Sequence, residues 1–276
     1  MEILQYAYMQ RALVAGLLVS ITCGVIGTYV VVRRMVFISG GISHSAFGGI
    51  GLGYLVGIDP VVGAMVFTIA SALAIGGISK QTRLPEDTAI GIIWAVGMAL
   101  GVVFVGLSPG FAPHLFGYLF GNILSVSSSE LMVMGGLTLV IILVVSLLYK
   151  ELLSLSFDEE FARVSGVPTG WLYFVLVVLI ALSVVVLIRA VGIILLIALL
   201  TIPAAISRQF VSSLSRMMLL SVVLSVVLVV LGLWLSYVLD LASGATIILL
   251  SGLVFAASVG VSRLRREWMA RRAAPG

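Results

Sequence analysis

GWLYFVLVVLIALSVVVLI (170–188) and VGIILLIALLTIPAAIS (191–207) are the two runs that decide the fold class of this chain. Only Arg189 and Ala190 separate them, and each run can cross a hydrocarbon core of roughly 30 Å as a helix. The whole chain has the same character, with 62% hydrophobic and 9% charged residues and a mean hydropathy of +1.30. Soluble domains contain about 25% charged residues. The sequence therefore predicts an all-α polytopic membrane protein.

Further apolar runs of about 17–23 residues bring the expected number of transmembrane helices to about nine, in a single transmembrane domain over residues 1–276. These runs lie at about 12–32, 38–57, 60–79, 88–108, 131–149, 217–239 and 244–262.

The basic residues are distributed very unequally between the two predicted sides, with 13 of the 15 Lys and Arg residues on one side. This bias predicts a multi-pass protein of the cell inner (plasma) membrane, with its N-terminus outside and its C-terminus in the cytoplasm. The net charge of +4 is explained by topology, so no nucleic-acid partner is expected. The residues predicted to be cytoplasmic are Arg33, Arg34, Lys80, Arg83, Lys150, Arg163, Arg208, Arg216 and the five arginines of a basic tail at 263–276.

Residues 109–126 are apolar but contain two prolines and several glycines. A straight spanning helix is not expected there, because proline removes helix hydrogen bonds. Irregular backbone at membrane depth must be shielded from lipid by protein. We therefore expect a short re-entrant helix on the outer side.

The segment 156–166 is predicted to form a short cytoplasmic helix with an acidic start. Ser156 and Glu159 match an S-x-x-E capping box, and Gly166 supplies the stop signal. Phe157, Phe161 and Val164 recur at i, i+4 and i+7 and so share one apolar face. Such a helix could lie on the membrane surface, but surface helices favour Lys and Arg on their polar face. We favour docking into another protein.

His44 lies within the second predicted span, in the glycine- and serine-rich stretch 40–53. Helix packing explains the glycines, including small-x-x-x-small spacing at Gly49 and Gly53. An ionisable residue inside a span normally faces the bundle interior or a water path. His44 is therefore either a satisfied interior histidine or a ligand on an ion path.

His114, on the outer side, is the other histidine of the chain. Imidazole suits zinc, copper, iron and nickel as a ligand. Asp59 and Asp240 are carboxylates at the same side, and either could be a helix cap instead of a ligand. The candidate metal ligands are therefore His44, His114 and Asp240.

The chain contains no phosphate-binding G-x-x-x-x-G-K-[ST] sequence, since Lys80 precedes Gln81 and Lys150 precedes Glu151. Any ATP-driven role therefore needs a separate subunit, and the chain itself is not expected to be an enzyme.

Seven short motifs, in this order and spacing, make nearly the whole chain resemble the membrane permeases of zinc/manganese/iron ABC importers. They are Arg33-Arg-Met35, Ile42-Ser-His-Ser-Ala46, Glu86-Asp-Thr-Ala-Ile-Gly91, Leu119-Phe-Gly-Asn-Ile-Leu124, Phe157-Asp-Glu-Glu-Phe-Ala-Arg163, Ile202-Pro-Ala-Ala205 and Ser243-Gly-Ala-Thr-Ile247.

The resemblance implies a second copy of the permease, a cytoplasmic dimer of ATPase subunits and an extracytoplasmic metal-binding protein, all assembled around the lipid bilayer. It also implies alternating access of a transported divalent ion, with no tightly bound cofactor. The segment 156–166 would then be the coupling helix that enters a groove on the ATPase. The residues that this resemblance assigns to coupling are Phe157, Asp158, Glu159, Glu160, Phe161, Arg163 and Gly166.

The chain departs from the family pattern in its expected ligands. Gly40 stands where family members usually carry Asp, and His114 stands where they often carry another Asp. Replacing carboxylates by imidazole favours zinc over manganese or iron. The family's proline two residues after Asp240 is Ala242 here.

Three other interpretations remain open. A larger chelate could be the cargo, although the histidines disfavour it. An ATP-independent carrier would leave the acidic helix without a purpose. An intramembrane enzyme would need Ser39 or Ser243 as nucleophile with His44 as base, within hydrogen-bond reach. Ser243 is predicted at the opposite side of the membrane from Ser39 and His44, so we favour the importer.

Overall fold

The computed structural model describes residues 6–81, 84–109 and 121–273. Within these ranges, all regular elements are helical, which confirms the predicted fold class. Besides a 3₁₀ turn at Ile123–Ser125, the helices are α1 Ala7–Val32, α2 Val36–Val56, α3 Pro60–Gln81, α4 Glu86–Leu107, α5 Ser128–Leu147, α6 Tyr149–Phe157, α7 Glu159–Val164, α8 Thr169–Phe210, α9 Leu214–Leu239 and α10 Ser243–Ala273.

Eight segments of the described chain are long and apolar enough to cross a membrane: α1, α3, α4, α5, both halves of α8, α9 and α10. Helix α2 is not among them because its glycines, serines and His44 lower its hydropathy. It has 21 residues, however, which corresponds to about 32 Å of helix. It runs antiparallel to α3, since Gly49 packs on Gly63 and Gly53 on Pro60. It runs parallel to α4, since Gly41 packs on Ile90 and Gly51 on Gly101. Across the described residues, α2 thus supplies the ninth pass.

Both ends of α8 lie at the same end of the bundle, which we call the Arg33 end. Tyr173 near its start donates a hydrogen bond to Glu86 and lies within electrostatic range of Arg33. Arg208 near its finish donates to the Val31 carbonyl. A straight helix of 42 residues would hold these ends about 63 Å apart. The helix must therefore reverse direction, and its one non-helical residue, Gly192 (φ 74°, ψ 168°), is the turn. The two halves are the two predicted spans.

The opposite end of the bundle, which we call the Asp59 end, receives both flanks of the segment predicted to be re-entrant. Helix α4 ends there because it runs parallel to α2, and Glu130 at the start of α5 lines one cavity with Asp59. Residues 110–120 lie outside the described residues. The end of α4 and the start of α5 therefore lie at the same end of the bundle, and the re-entrant helix expected within 109–126 stays a prediction.

The last helix, α10, continues to Ala273 and thus includes most of the predicted basic tail at 263–276. Arg263 and Arg265 are exposed on it. The part of the basic tail up to Ala273 is therefore a continuation of the last spanning helix.

Candidate functional site

Glycines bring α2 into backbone contact with α3 and with α4. A Cβ added at Gly49 would lie 2.3 Å from the Gly63 carbonyl oxygen of α3, and one at Gly51 would lie 2.5 Å from the Gly101 carbonyl oxygen of α4. Real side chains do not tolerate such distances, so only glycine permits this spacing. The consequence is a tightly packed group of three helices around His44.

His44 stacks on Trp94 of α4, with ring centroids 4.3 Å apart and an interplanar angle of 8°. The Trp94 indole N–H donates to the Met98 sulfur at 3.1 Å, which fixes the indole. The His44 Nδ1 atom is buried and finds no hydrogen-bond partner in the described part of the chain. An imidazole nitrogen can accept a proton or bind a metal ion. His44 thus offers an unused ligand atom inside the bundle.

The other two predicted ligands do not join His44 in the described residues. His114 lies outside them. Asp240 is exposed, and it ends α9 at the Asp59 end in a left-handed conformation (φ 51°). Within residues 6–81, 84–109 and 121–273, no three His, Cys, Asp or Glu side chains lie close enough to hold a metal ion. The ligand set of His44, His114 and Asp240 stays a prediction.

Two carboxylates at the Asp59 end cap helices. The Asp59 Oδ1 atom accepts from the Val61 N–H at 2.7 Å, as the interpretation of Asp59 as a cap predicted. Glu130 and Ser127 form a capping box at the start of α5. A cavity of about 250 Å³ lies between these caps and is also lined by Met65 and Met134.

The capping box predicted for segment 156–166 is wrong. Ser156 belongs to α6, and its hydroxyl donates to the Leu152 carbonyl at 2.6 Å. Helix α7 instead begins at Glu159, and Asp158 caps it by accepting from the Phe161 N–H at 2.9 Å. The cause is that α6 continues the preceding helical stretch through Phe157, which leaves Ser156 inside α6, two residues before the residue that caps α7.

The apolar face of this segment is exposed, as its spacing predicted. The exposed fractions are 65% for Phe157, 66% for Phe161 and 83% for Val164. Glu160 and Arg163 lie on the same segment, whereas Ala162 is buried against the bundle. Gly166 has φ 84°, and the backbone bond from Val167 N–H to the Ala162 carbonyl closes the helix. The segment therefore presents a small apolar surface outward.

Arg33 attaches this segment to the bundle, a contact that the sequence did not predict. Its guanidinium donates to the Leu155 carbonyl at 2.6 Å and to Glu159 Oε2 at 2.8 Å. Trp94 is the second residue whose role was not predicted. Neither contact could be predicted from a local sequence pattern, because the partners lie far apart in the chain.

Comparison with known proteins gives consistent results over almost the whole chain. The profile described as the ABC 3 transport family matches residues 5–262. The chain is 47% identical over 262 residues to the membrane protein slr2045 of Synechocystis sp., covering 95% of this chain and 93% of that one. It is 36% identical over 276 residues to the manganese transport system membrane protein MntC of Halalkalibacterium halodurans, covering 99% and 94%.

Among solved structures, PsaBC from Streptococcus pneumoniae in complex with Fab has a chain with a TM-score of 0.84 and 34% identity to this one. The match covers 93% of each chain. The similarity therefore includes the three-dimensional arrangement of the helices.

Proposed function

The chain belongs to the ABC 3 transport family, and we propose that it is the membrane-spanning permease of an ATP-driven importer for a divalent transition metal. The observation that carries this proposal is α7 with its exposed apolar face. Exposed apolar surface on an otherwise charged segment is typical of a protein-binding site. A permease without its own phosphate-binding motif needs such a contact to receive work from ATP hydrolysis.

The partner set follows from the same premise. We propose a dimer of cytoplasmic ATPase subunits that receives α7, a second copy of this chain beside it, and an extracytoplasmic protein that delivers the ion. The chain itself would not be an enzyme. The name PsaBC, which the similar structure carries, supports assembly with another subunit.

The Arg33 end is proposed to face the cytoplasm. It holds Arg33, Lys150, Arg163 and Arg208, whereas Arg11 lies in the first turns of α1, towards the Asp59 end. Positively charged residues concentrate on the cytoplasmic side of membrane proteins. With nine passes, the N-terminus is then outside and the C-terminus inside.

Two ions are candidates for the cargo, and a different observation favours each. The name of the relative MntC states manganese transport. The uncoordinated Nδ1 of His44, together with Gly40 in place of the expected carboxylate, favours zinc, which binds imidazole well. A carboxylate-rich site would suit manganese better.

The test reconstitutes the permease with its ATPase and binding protein in vesicles and offers zinc, manganese and ferrous iron together. We expect ATP-dependent accumulation of one of them. Uptake that ignores ATP would instead identify an ATP-independent carrier. A His44→Ala variant should lose most of the uptake, whereas an unchanged rate would remove His44 from the ion path.

A second experiment tests the role of α7. The double variant Phe161→Ala/Val164→Ala should no longer retain the ATPase during purification. Leu249→Ala/Leu253→Ala is the matched control, because these α10 side chains are each 70% exposed but lie within a span. Equal retention of the ATPase by both variants would contradict the proposed docking.

A further inference from the structure

Arg33 holds the end of α6 and the start of α7 through two hydrogen bonds of different kinds. Its Nη1 donates to the main-chain carbonyl of Leu155 at 2.6 Å, and its Nη2 donates to the Glu159 carboxylate at 2.8 Å. The Arg33 side chain is only 16% exposed, compared with 42% for that of Glu159. Only the planar guanidinium can donate in two directions from a fixed fork. The two bonds together fix where α7 begins, and the bond to Glu159 also pairs the charge of its carboxylate.

The main chain at Arg33 is itself rigid. The Arg33 N–H donates to Tyr29 O at 2.8 Å, and the Met35 N–H donates to Val30 O at 2.8 Å. Arg34 adopts a left-handed conformation with φ 59°, which is uncommon for a residue with a side chain. This two-residue turn leads directly into α2, so the guanidinium is attached to the junction between α1 and α2.

The junction carries the helix that holds the candidate ligand. His44 lies about 12 Å beyond the start of α2, and backbone contacts at its glycines fix α2 to α3 and α4. A helix in such contact moves as a rigid element. A displacement of the junction would therefore be passed to His44 with little loss.

The remaining attachments of α7 are weak by comparison. It has only six residues, and a helix of this length is not stable by itself. Its apolar face points outward, and Ala162 is its buried residue. Arg33 is thus the long side chain from the spanning helices that holds α7 by charge and hydrogen bond in the described part of the chain.

We propose that Arg33 is a positioning residue that transmits the displacement of α7 to the α1–α2 junction and so to the helix bearing His44. This inference rests on the proposed function, since it assumes that a partner displaces α7. Ion pairs with an exposed partner contribute little to stability. The main consequence of the fork is therefore mechanical: it joins the outward-facing segment to the ion path.

The test measures ions transported per ATP hydrolysed in vesicles that contain the whole complex. Arg33→Glu and Glu159→Arg should each lower this ratio by roughly 2- to 30-fold, the range found for residues that couple two sites. The double variant, Arg33→Glu with Glu159→Arg, restores opposite charges and should regain part of the ratio. Asp87→Arg is the matched control, because it makes the same charge change on an exposed carboxylate at the Arg33 end, in the first turn of α4, and should leave the ratio unchanged.

Arg33→Lys covers the case in which the charge reversals prevent folding. Lysine keeps the charge but lacks the fork, so we expect a ratio between those of the parent and Arg33→Glu. A ratio equal to the parent's in Arg33→Lys and in the folded single variants would overturn the inference, as would a double variant no better than the singles. Failure of the proposed function is distinguishable, because the parent complex itself would then show no ATP-dependent uptake.

Discussion

The helices on two sides of the bundle are held together by different kinds of contact. On the glycine side, formed by α2, α3 and α4, the serines turn back onto their own helix: Ser43 donates to Ser39 O and Ser45 to Ile42 O. Close approach at glycines sets the spacing there. On the hydroxyl side, formed by α1, α5, α9 and the second half of α8, hydroxyl groups bond across helices.

The hydroxyl side also contains close glycines, such as Gly27 against Leu200, so its helices have two kinds of contact. Besides close packing, these helices are held together by the hydrogen bonds Thr22–Thr138 and Ser221–Ser207, each 3.0 Å long. A backbone collision is severe, whereas a hydrogen bond inside a membrane is worth about 0.6 kcal/mol on average. Substitutions on the glycine side should therefore lower the stability strongly, whereas substitutions on the hydroxyl side should lower it only slightly.

The largest effect is expected for Gly49→Ala on the glycine side. The new Cβ would lie 2.3 Å from Gly63 O and 2.6 Å from the Phe67 Cβ atom, so α2 and α3 must separate. Overpacking of this kind costs about 1–3 kcal/mol or more. The melting temperature of the purified protein in detergent should fall markedly, and metal uptake should fall with it.

Gly91→Ala is the matched control for this glycine, because a Cβ there meets nothing within 4 Å. Alanine is a better helix former than glycine by about 1 kcal/mol. The melting temperature should stay the same or rise. A similar loss in both variants would mean that close helix approach is not what holds the glycine side together.

Gly192→Ala should have the next largest effect, since this residue makes the turn that connects the two sides through α8. Its φ of 74° and ψ of 168° fall in a region that is essentially restricted to glycine, at a cost of about 1–3 kcal/mol for other residues. We expect a lower melting temperature. Gly135→Ala, in the middle of α5 with open space around it, should not lower it.

Trp94→Leu tests the ring stack that holds His44 on the glycine side. Aromatic pairs contribute about 0.5–1.5 kcal/mol beyond the area they bury. The variant should therefore be modestly less stable and should need more metal for half-maximal uptake. Trp94→Phe keeps a ring and should behave more like the parent; identical losses in the two variants would show that stacking is not the relevant contact.

The smallest effect is expected on the hydroxyl side, for Ser221→Ala. It removes the bonds to Ser207 and Thr28, at about 0.6 kcal/mol for an average bond. Ser225→Ala is the control one turn further along α9, because the Ser225 hydroxyl is buried without a hydrogen-bond partner in the described residues. Its melting temperature should equal or exceed that of the parent, and a larger loss than in Ser221→Ala would contradict the comparison.

Much of the fold could be predicted because its signals are local. Apolar runs of spanning length located the passes, and the spacing of Phe157, Phe161 and Val164 located the exposed face of α7. The error at Ser156 has an equally local origin, since a capping sequence does not reveal whether the preceding helix has already ended. The break at Arg189 and Ala190 predicted the position of the reversal to within a few residues, but only the structure shows that Gly192 makes the turn.

The sequence by itself determined a helical bundle that crosses the bilayer. Lipid admits only structures that satisfy their own backbone hydrogen bonds, which are helices and closed barrels, and apolar runs of about 17–23 residues have the length of a spanning helix. Only the tertiary structure decided that His44 stacks on Trp94 and that Arg33 holds Glu159, 126 positions away. Which residues form such pairs depends on which helices lie side by side. That choice depends on shape and glycine contacts summed over whole helices, and it leaves no periodic trace along the chain.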